Sequence, residues 1–188
     1  MNAINLKSNA LVYEPREDTY LLLRNITINK NEEILEVGTG SGVISIYCAK
    51  KGAIVTATDI SKTVLKYAKE NAKQNGILNI QFIKTDLFPK KQKKFDVIIF
   101  NPPYLPLDET GDDKRIVGGK TGWEITDRFL KNVRKFLKEN GRVYLLCSSL
   151  SMPQDVKNRY PEFHWELLES ERFFFEELFV YKLNVIRE

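Results

Sequence analysis

A glycine-rich segment, Gly38-Thr-Gly-Ser-Gly42, constrains the fold of this chain more than any other feature. It lies between residues 33–37, which fit a short buried strand, and residues 42–50, which fit a helix. A strand, a glycine loop and a helix in this order form the first half of a βαβ nucleotide-binding unit. Glycine lets the backbone approach a ligand closely, and the helix N-terminus offers free N–H groups. The pattern predicts an α/β fold with a ligand site at this turn.

The glycine spacing and two acidic residues narrow the kind of ligand. The dinucleotide pattern G-x-G-x-x-G would need glycine at position 43, where Val43 stands. Glu36, near the strand end, would repel a pyrophosphate and favours a ligand with a cationic or hydroxyl group. Asp59 ends the next predicted strand, where an acid commonly holds ribose hydroxyls. Its two acceptor oxygens suit two adjacent hydroxyls, although Asp59 could instead cap the helix that begins near Ser61.

A second polar corner follows the predicted strand 95–101, in Asn101-Pro-Pro-Tyr104. The two prolines fix their own φ and donate no backbone hydrogen bond, and a residue before proline is pushed to the extended region. The result is a stiff corner with one amide side chain, free carbonyls and one aromatic ring. Such a corner suits the capture of a flat group bearing an NH2, and the alternative is an ordinary strand-end turn.

The segment Gly118-Gly-Lys-Thr121 resembles a phosphate-binding loop only superficially. The Walker A pattern would need glycine at position 114, where Lys114 stands, and no strand precedes it. We expect a loop over residues 105–121 that leads into a helix over 122–139, near the active site. Four acidic residues in this loop would suit a basic protein substrate, or they form a solvated lid: Asp108, Glu109, Asp112 and Asp113.

Together these stretches resemble the class I S-adenosylmethionine-dependent methyltransferases. They are most similar to the HemK-type amino-methyltransferases, in the archaeal and eukaryotic branch that methylates a glutamine of translation release factors. The resembling motifs run in the family's order over most of the chain: Val12-Tyr-Glu-Pro-Arg-Glu-Asp-Thr19, Leu35-Glu-Val-Gly-Thr-Gly-Ser-Gly42, Asp59, Thr85-Asp86-Leu87, Asn101-Pro-Pro-Tyr104 and Gly118-Gly-Lys-Thr-Gly-Trp-Glu124. The resemblance implies a Rossmann-like sheet of seven mostly parallel strands, ordered 3-2-1-4-5-7-6, with strand seven reversed and helices on both faces.

The resemblance also implies S-adenosylmethionine as cofactor and gives roles to particular residues. It places Thr19 at the amino-acid end of the cofactor and Glu36 near its methionine part or its ribose. Asp86 would accept from the adenine amino group, and Leu87 would pack on or beside the ring. The implied cofactor-binding residues are Thr19, Glu36, Gly38, Gly40, Gly42, Asp59, Asp86, Leu87 and Asn101. The substrate-binding residues are Asn101, Pro102, Pro103 and Tyr104, of which Asn101, Pro102 and Tyr104 would be catalytic. The Asn101 side-chain oxygen and the Pro102 carbonyl would accept both N–H bonds of the target amide, with Tyr104 over its flat face. No metal site is expected.

The target group is less constrained than the chemistry. The first hypothesis is N5 of the glutamine in the Gly-Gly-Gln motif of a class I release factor. The alternatives are N6-adenine or another exocyclic amine of nucleic acid, a protein lysine, or a non-catalytic assembly partner that keeps only the fold. A net charge of +4 and the length of 188 residues make nucleic acid the less favoured substrate.

Length and composition predict one globular domain over residues 1–188, with residues 1–30 as a helical extension over the cofactor site. The end of the chain predicts two β-rich runs, 165–174 and 178–185, joined as a hairpin at Glu176-Glu177. The branch typically works with a small zinc-binding activator, which would dock on the edge strand Ile80-Gln-Phe-Ile-Lys84. The N-terminus lacks a hydrophobic run and no stretch has membrane-spanning length, so a cytoplasmic protein is expected.

Overall fold

The computed structural model describes residues 4–7, 12–107 and 116–186. Within these ranges the helices are α1 (Glu17–Asn25), α2 (Val43–Lys50), α3 (Lys62–Gln74), α4 (Glu124–Val133) and α5 (Val156–Arg159), with a 3-10 turn at Arg134–Phe136. The strands are β1 (Glu33–Val37), β2 (Ile54–Asp59), β3 (Gln81–Lys84), β4 (Phe95–Phe100), β5 (Leu105–Pro106), β6 (Val117–Gly119), β7 (Leu137–Ser148), β8 (Phe163–Arg172) and β9 (Glu177–Val185).

Seven of the strands form one sheet in the order β3-β2-β1-β4-β7-β9-β8. The pairs from β3 to β7 are parallel, whereas β9 runs antiparallel to both β7 and β8. This order and the reversed last strand confirm the predicted fold class. The strand β3 lies at one edge of the sheet, as predicted.

Alternation along the central strands builds a hydrophobic core on each face of the sheet. Ile34 of β1 and Val97 of β4 belong to one core, whereas their chain neighbours Leu35 and Ile98 belong to the other. The first core is covered by α1, α2 and α3, and the second by α4 and α5. Because both faces are covered, the central strands are apolar nearly throughout. The prediction of helices on both faces is confirmed.

The prediction for residues 122–142 was wrong in one respect. The helix was expected to reach residue 139, but α4 ends at Val133 and β7 already begins at Leu137. Phe95 of β4 pairs with Leu137, and the register then shifts so that Val97 pairs with Arg142. Leu137 and Phe95 are both buried in the second core. The apolar spacing that fits a longer helix is therefore also satisfied by a bulged strand.

Two smaller expectations also need correction. Residues 105–121 were predicted to be a loop without strands, yet β5 and β6 pair in parallel as a separate two-stranded sheet. The C-terminal hairpin is present, but its strands end at Arg172 and begin again at Glu177, so the turn covers residues 173–176. The first run was predicted to reach residue 174, but Phe174 lies in the turn and its ring is exposed.

The first helix is held by the last strands of the sheet. It contacts β7, β8 and β9. Arg24 of α1 forms ion pairs with Glu169 and Glu171 of β8, each with a nitrogen–oxygen distance of 2.6 Å. The N-terminus of α1 is thereby positioned at the carboxyl ends of the parallel strands, where ligands bind in open α/β sheets.

Candidate active site

A cavity of about 640 Å³ opens at the carboxyl ends of β1, β2 and β4. This volume is in the range of small-molecule sites. The predicted site residues that line it are Thr19, Glu36, Gly38, Gly40, Asp59, Asp86, Leu87, Asn101, Pro102, Pro103 and Tyr104. The glycine turn after β1 and the polar corner after β4 therefore face the same space, on the same side of the sheet.

Gly42 is the predicted site residue that does not line this cavity. Its φ of +83° lies in the left-handed region, and a Cβ atom there would come within 3.1 Å of the Ala68 Cβ and 3.3 Å of the Ala68 backbone. Gly42 therefore allows α2 and α3 to pack closely. The structure accounts for this glycine by helix packing and backbone conformation.

Glu36 lies under the glycine turn and is almost fully buried, with 3% of its surface exposed. One carboxyl oxygen accepts a hydrogen bond from Thr39 Oγ1 at 2.6 Å and another from Ser45 Oγ. Burial raises the pKa of Glu36 to about 7, against the opposing effect of the two hydroxyl groups. The carboxyl group thus holds the turn together from beneath.

Asp59 connects the glycine turn to the next helix. Its Oδ2 accepts from the Gly40 backbone N–H at 3.3 Å, and its Oδ1 accepts from the Ser61 N–H at 2.8 Å. Ser61 in turn caps α3 through Val64 N. Burial raises the pKa of Asp59, and the backbone donors oppose this shift. The carboxylate therefore lies against the cavity in a fixed orientation and also supports the helix start.

Asp86 and Leu87 form the wall beyond β3. Asp86 Oδ2 accepts a hydrogen bond from Arg128 Nη2 of α4 at 2.5 Å. Leu87 has a φ of +61°, which is rare for a residue with a side chain, and its carbonyl accepts from Thr58 Oγ1 at 2.8 Å. This backbone conformation is held by the end of β2, and the Leu87 side chain packs against the second core.

Asn101, directly after β4, faces α1 across the cavity. Its Nδ2 donates to Asp18 Oδ2 at 2.9 Å, between residues 83 positions apart in the chain. Its Oδ1 is buried and accepts no hydrogen bond from the described part of the chain. Buried polar atoms are nearly always paired, so this acceptor, on a residue that lines the cavity, has one unused hydrogen-bond position.

Comparison with known proteins identifies the family to which this site belongs. Residues 14–163 match the model of the methyltransferase small domain. The chain belongs to the methyltransferase small-domain family. Membership in this family implies S-adenosylmethionine as the methyl donor. This methyltransferase is 44% identical to a candidate protein N5-glutamine methyltransferase of Methanocaldococcus jannaschii, over 96% of this chain and 95% of that protein.

Two further relatives agree with the assignment. Human HEMK2 is 36% identical over 77% of this chain and 75% of its own length. The release factor glutamine methyltransferase of Lactococcus lactis is 34% identical over 76% of this chain and 58% of its own length. These relatives identify the methyltransferase as HemK-type.

Among solved structures, the E. cuniculi Mtq2-Trm112 complex, which methylates the termination factor eRF1, matches with a TM-score of 0.73 and 28% identity. The match covers 94% of this chain and 99% of that one. A Pyrococcus furiosus methyltransferase matches with a TM-score of 0.71 and 21% identity, over 97% of this chain and 90% of that one, and supports the fold alone.

Several residues of this methyltransferase line the cavity although the sequence did not single them out. Tyr13 lies beside Asp18, Arg128 comes from α4, and Phe173 and Glu176 come from the turn between β8 and β9. Burial raises the pKa of both Tyr13 and Tyr104, and the nearby Asp18 charge acts in the same direction. Tyr13 could have been selected from the sequence, because it lies in the same motif as Asp18 and Thr19. The others depend on contacts between distant elements.

Two further expectations for this methyltransferase concern its acidic loop and membrane-spanning helices. The acidic loop residues Asp108, Glu109, Asp112 and Asp113 lie outside the described residues. Among the helices of the described ranges, none is both long and apolar enough to cross a bilayer.

Proposed function

We propose that this methyltransferase transfers a methyl group from S-adenosylmethionine to a planar amide nitrogen, N5 of the glutamine in the Gly-Gly-Gln motif of a translation release factor. The names of its relatives support this substrate, since they include glutamine methyltransferases and a complex that methylates eRF1. The site belongs to one domain over residues 1–188, with residues 1–30 over the cofactor. Because release factors act in translation, the proposed reaction takes place in the cytoplasm.

The observation that carries the proposal is the unpaired, buried Oδ1 of Asn101. A primary amide presents two N–H donors in one plane, and Asn101 Oδ1 and the Pro102 carbonyl are the acceptors proposed for them. Accepting both N–H bonds orients the amide nitrogen, and Tyr104 covers its flat face. An amide nitrogen is a poor nucleophile because its lone pair is delocalised, so accurate positioning supplies much of the rate gain.

The cavity fits the methyl donor by its chemistry. Asp59 presents carboxylate oxygens for two ribose hydroxyls, and Asp86 and Leu87 present an acceptor and an apolar side chain for adenine. Thr19, Glu36, Gly38 and Gly40 line the region proposed for the amino-acid end, where Gly42 supports the turn from outside. When bound, S-adenosylmethionine supplies an electrophilic methyl group, whose bond to sulfur breaks as the amide nitrogen bonds to it and loses one proton.

Transfer of labelled methyl to purified release factor tests the proposal. We expect label on the wild-type factor and none on a factor whose Gly-Gly-Gln glutamine is replaced. An oligonucleotide and a lysine-containing peptide serve as competing acceptors in the same assay. Label on the oligonucleotide, with none on the factor, would reverse the assignment in favour of nucleic-acid methylation.

We also propose that a small zinc-binding activator docks on the edge strand β3. The structural relative was solved as a two-protein complex. The unpaired edge of β3 can add a strand from a partner. Leu78, three residues before β3, is 80% exposed and offers an apolar side chain at the start of this edge. The proposed contact therefore includes backbone pairing and an apolar side chain.

Co-purification with a zinc-ribbon protein, followed by size measurement and the methyl-transfer assay, tests this contact. Phe82→Lys on β3 is expected to weaken the complex and the activity that depends on it. Lys157→Glu on α5, away from β3, is the control. Equal activity with and without the ribbon protein, at a single monomeric size, would contradict an activator at this edge.

A further inference from the structure

The Asn101 side chain has two nearly identical shapes with opposite chemistry. Rotating its amide by half a turn exchanges an acceptor oxygen for a donor nitrogen. The proposed function needs the oxygen to face the cavity, because the incoming NH2 group can only donate there. Proline at 102 fixes the backbone but leaves this rotation free, so some other group must select the orientation.

Asp18 provides that selection. It is buried, with 4% of its surface exposed, in the first turn of α1. Its Oδ1 accepts from the Thr19 backbone N–H at 2.6 Å and from Thr19 Oγ1 at 3.2 Å. Its Oδ2 accepts from Asn101 Nδ2 at 2.9 Å. Tyr13 lines the cavity together with this carboxyl group.

We propose that Asp18 is a positioning residue that fixes the Asn101 amide with Oδ1 toward the methyl acceptor, an inference that rests on the proposed function. A carboxylate only accepts hydrogen bonds, so Asn101 can pair with it through Nδ2 alone. The opposite amide orientation would set Asn101 Oδ1 against a carboxylate oxygen and leave the nitrogen facing the cavity. Asp18 therefore makes the corner an acceptor and favours NH2 groups over carbonyl groups as targets.

The geometry supports a positioning role because the carboxylate itself is fixed. The backbone and hydroxyl of Thr19 hold one oxygen, and the helix start holds the main chain around it. Acids in a first turn are also favoured by the helix dipole. Asp18 thus connects the cofactor side of the cavity, through Thr19, to the acceptor side, through Asn101.

Asp18→Asn tests the orientation with almost no change of shape. An asparagine at 18 can donate as well as accept, so Asn101 is free to turn its nitrogen toward the cavity. We expect kcat to fall by roughly 10- to 100-fold, with the dissociation constant for S-adenosylmethionine close to that of wild type by calorimetry. A merely structural role would instead lower cofactor affinity and melting temperature together.

Exchanging the side chains of Asp18 and Asn101 in a double variant should restore part of the lost activity. Asn101→Asp alone sets two carboxyl groups against each other and should be at least as impaired as Asp18→Asn. In the double variant D18N/N101D, the amide at 18 donates to the carboxylate at 101, whose second oxygen faces the cavity as an acceptor. We expect kcat of the double variant to exceed that of both single variants. If it exceeds neither, or if Asp18→Asn keeps wild-type kcat, the inference is overturned.

Glu17→Gln is the matched control, because it removes one negative charge from the adjacent, exposed position of the same helix turn. Glu17→Gln should leave kcat close to that of wild type. If it lowers kcat as much as Asp18→Asn does, the effect of Asp18 comes from its charge and not from its hydrogen bond to Asn101. If Asp18→Asn fails to fold, comparison of the double variant with Asn101→Asp still decides the question.

A readout independent of turnover separates this inference from the proposed function. The Nδ2 protons of Asn101 should give ¹⁵N-resolved signals protected from solvent exchange, identified by their absence in Asn101→Asp. Asp18→Asn should remove that protection. Protection in wild type without methylation of any offered acceptor would leave the orientation intact and overturn the proposed function. Unprotected protons in wild type would overturn the orientation itself.

Discussion

Arg128 of α4 and Asp86, after β3, are joined by a hydrogen bond of 2.5 Å across the outer wall of the cavity. Both side chains are about half exposed, at 54% and 51%. A surface ion pair of this kind contributes little to folding, at most about 1 kcal/mol. Its effect is local, because it holds the proposed adenine acceptor in one orientation.

Arg128→Met should therefore weaken binding of S-adenosylmethionine several-fold and leave the free energy of unfolding nearly unchanged. Calorimetry with the cofactor, and urea unfolding of the free protein, measure the two quantities. Lys131→Met, one turn along α4 and paired with Asp127 instead, is the control. A large loss of stability with unchanged affinity would contradict the role given to this pair.

Asn101→Ala and Asp59→Ala should separate turnover from cofactor binding. The first removes the acceptor for the substrate amide, so kcat should be lost while cofactor affinity is kept. The second removes the oxygens proposed for the ribose hydroxyls. Since a hydrogen bond to a charged group contributes about 1.5–3 kcal/mol, affinity should fall roughly 10- to 100-fold. Calorimetry and single-turnover assays that show the reverse pattern would defeat both assignments.

Glu36 should make stability depend on pH above its ordinary titration range. Burial raises its pKa from 4.5 to about 7, so the folded protein binds this proton more tightly than the unfolded chain does. The resulting stabilisation is complete below the unfolded pKa and is lost as the pH rises through about 7. Over that window the change amounts to roughly 3 kcal/mol.

The isosteric variant Glu36→Gln removes this titration. Its free energy of unfolding should change less than that of wild type between about pH 5 and about pH 8, a range that contains the raised pKa of Glu36. Urea unfolding at each pH measures this change. Glu166→Gln, on the exposed part of β8, is the control and should keep the wild-type pH dependence. Parallel pH curves for wild type and Glu36→Gln would show that Glu36 is not the group responsible.

Gly42→Ala should be markedly more destabilising than Gly76→Ala. Both glycines have positive φ, +83° and +76°, so both variants carry the cost of a left-handed alanine, about 1–2 kcal/mol. Only Gly42 also faces Ala68, since nothing lies within 4 Å of a Cβ built at Gly76. Denaturant midpoints of the two variants give the comparison. Equal losses would mean that the contact with Ala68 relaxes without cost.

The motifs and their order predicted the fold, because four of them lie at the ends of β1, β2, β3 and β4 and the strand order follows from the family. The prediction was wrong where one apolar pattern fits both a helix and a strand. Leu137 fits the apolar face of a helix, but it also fits a strand residue opposite Phe95, and burial beside Phe95 decides for the strand.

Some residues of the candidate site could be predicted from the sequence, and others could not. Asn101 and Asp59 could be selected as strand-end polar residues. Asp18 could not be separated from an ordinary first-turn acid, since its partner lies 83 positions away. Arg128 is one of several charged residues on the polar side of α4, and its contact with Asp86 appears only when the elements are assembled.

The anchoring of α1 by β8 and β9 has a consequence for the order in which the enzyme matures. The helix carrying Asp18 rests on strands that are synthesised after all the parallel strands of the sheet, through Arg24 and its partners Glu169 and Glu171. Pulse-labelled hydrogen exchange should therefore show protection of α1 appearing together with that of the final hairpin. A nascent chain that lacks the hairpin would have a glycine turn and a proline corner but no oriented amide, so this methyltransferase becomes competent only after the hairpin has formed.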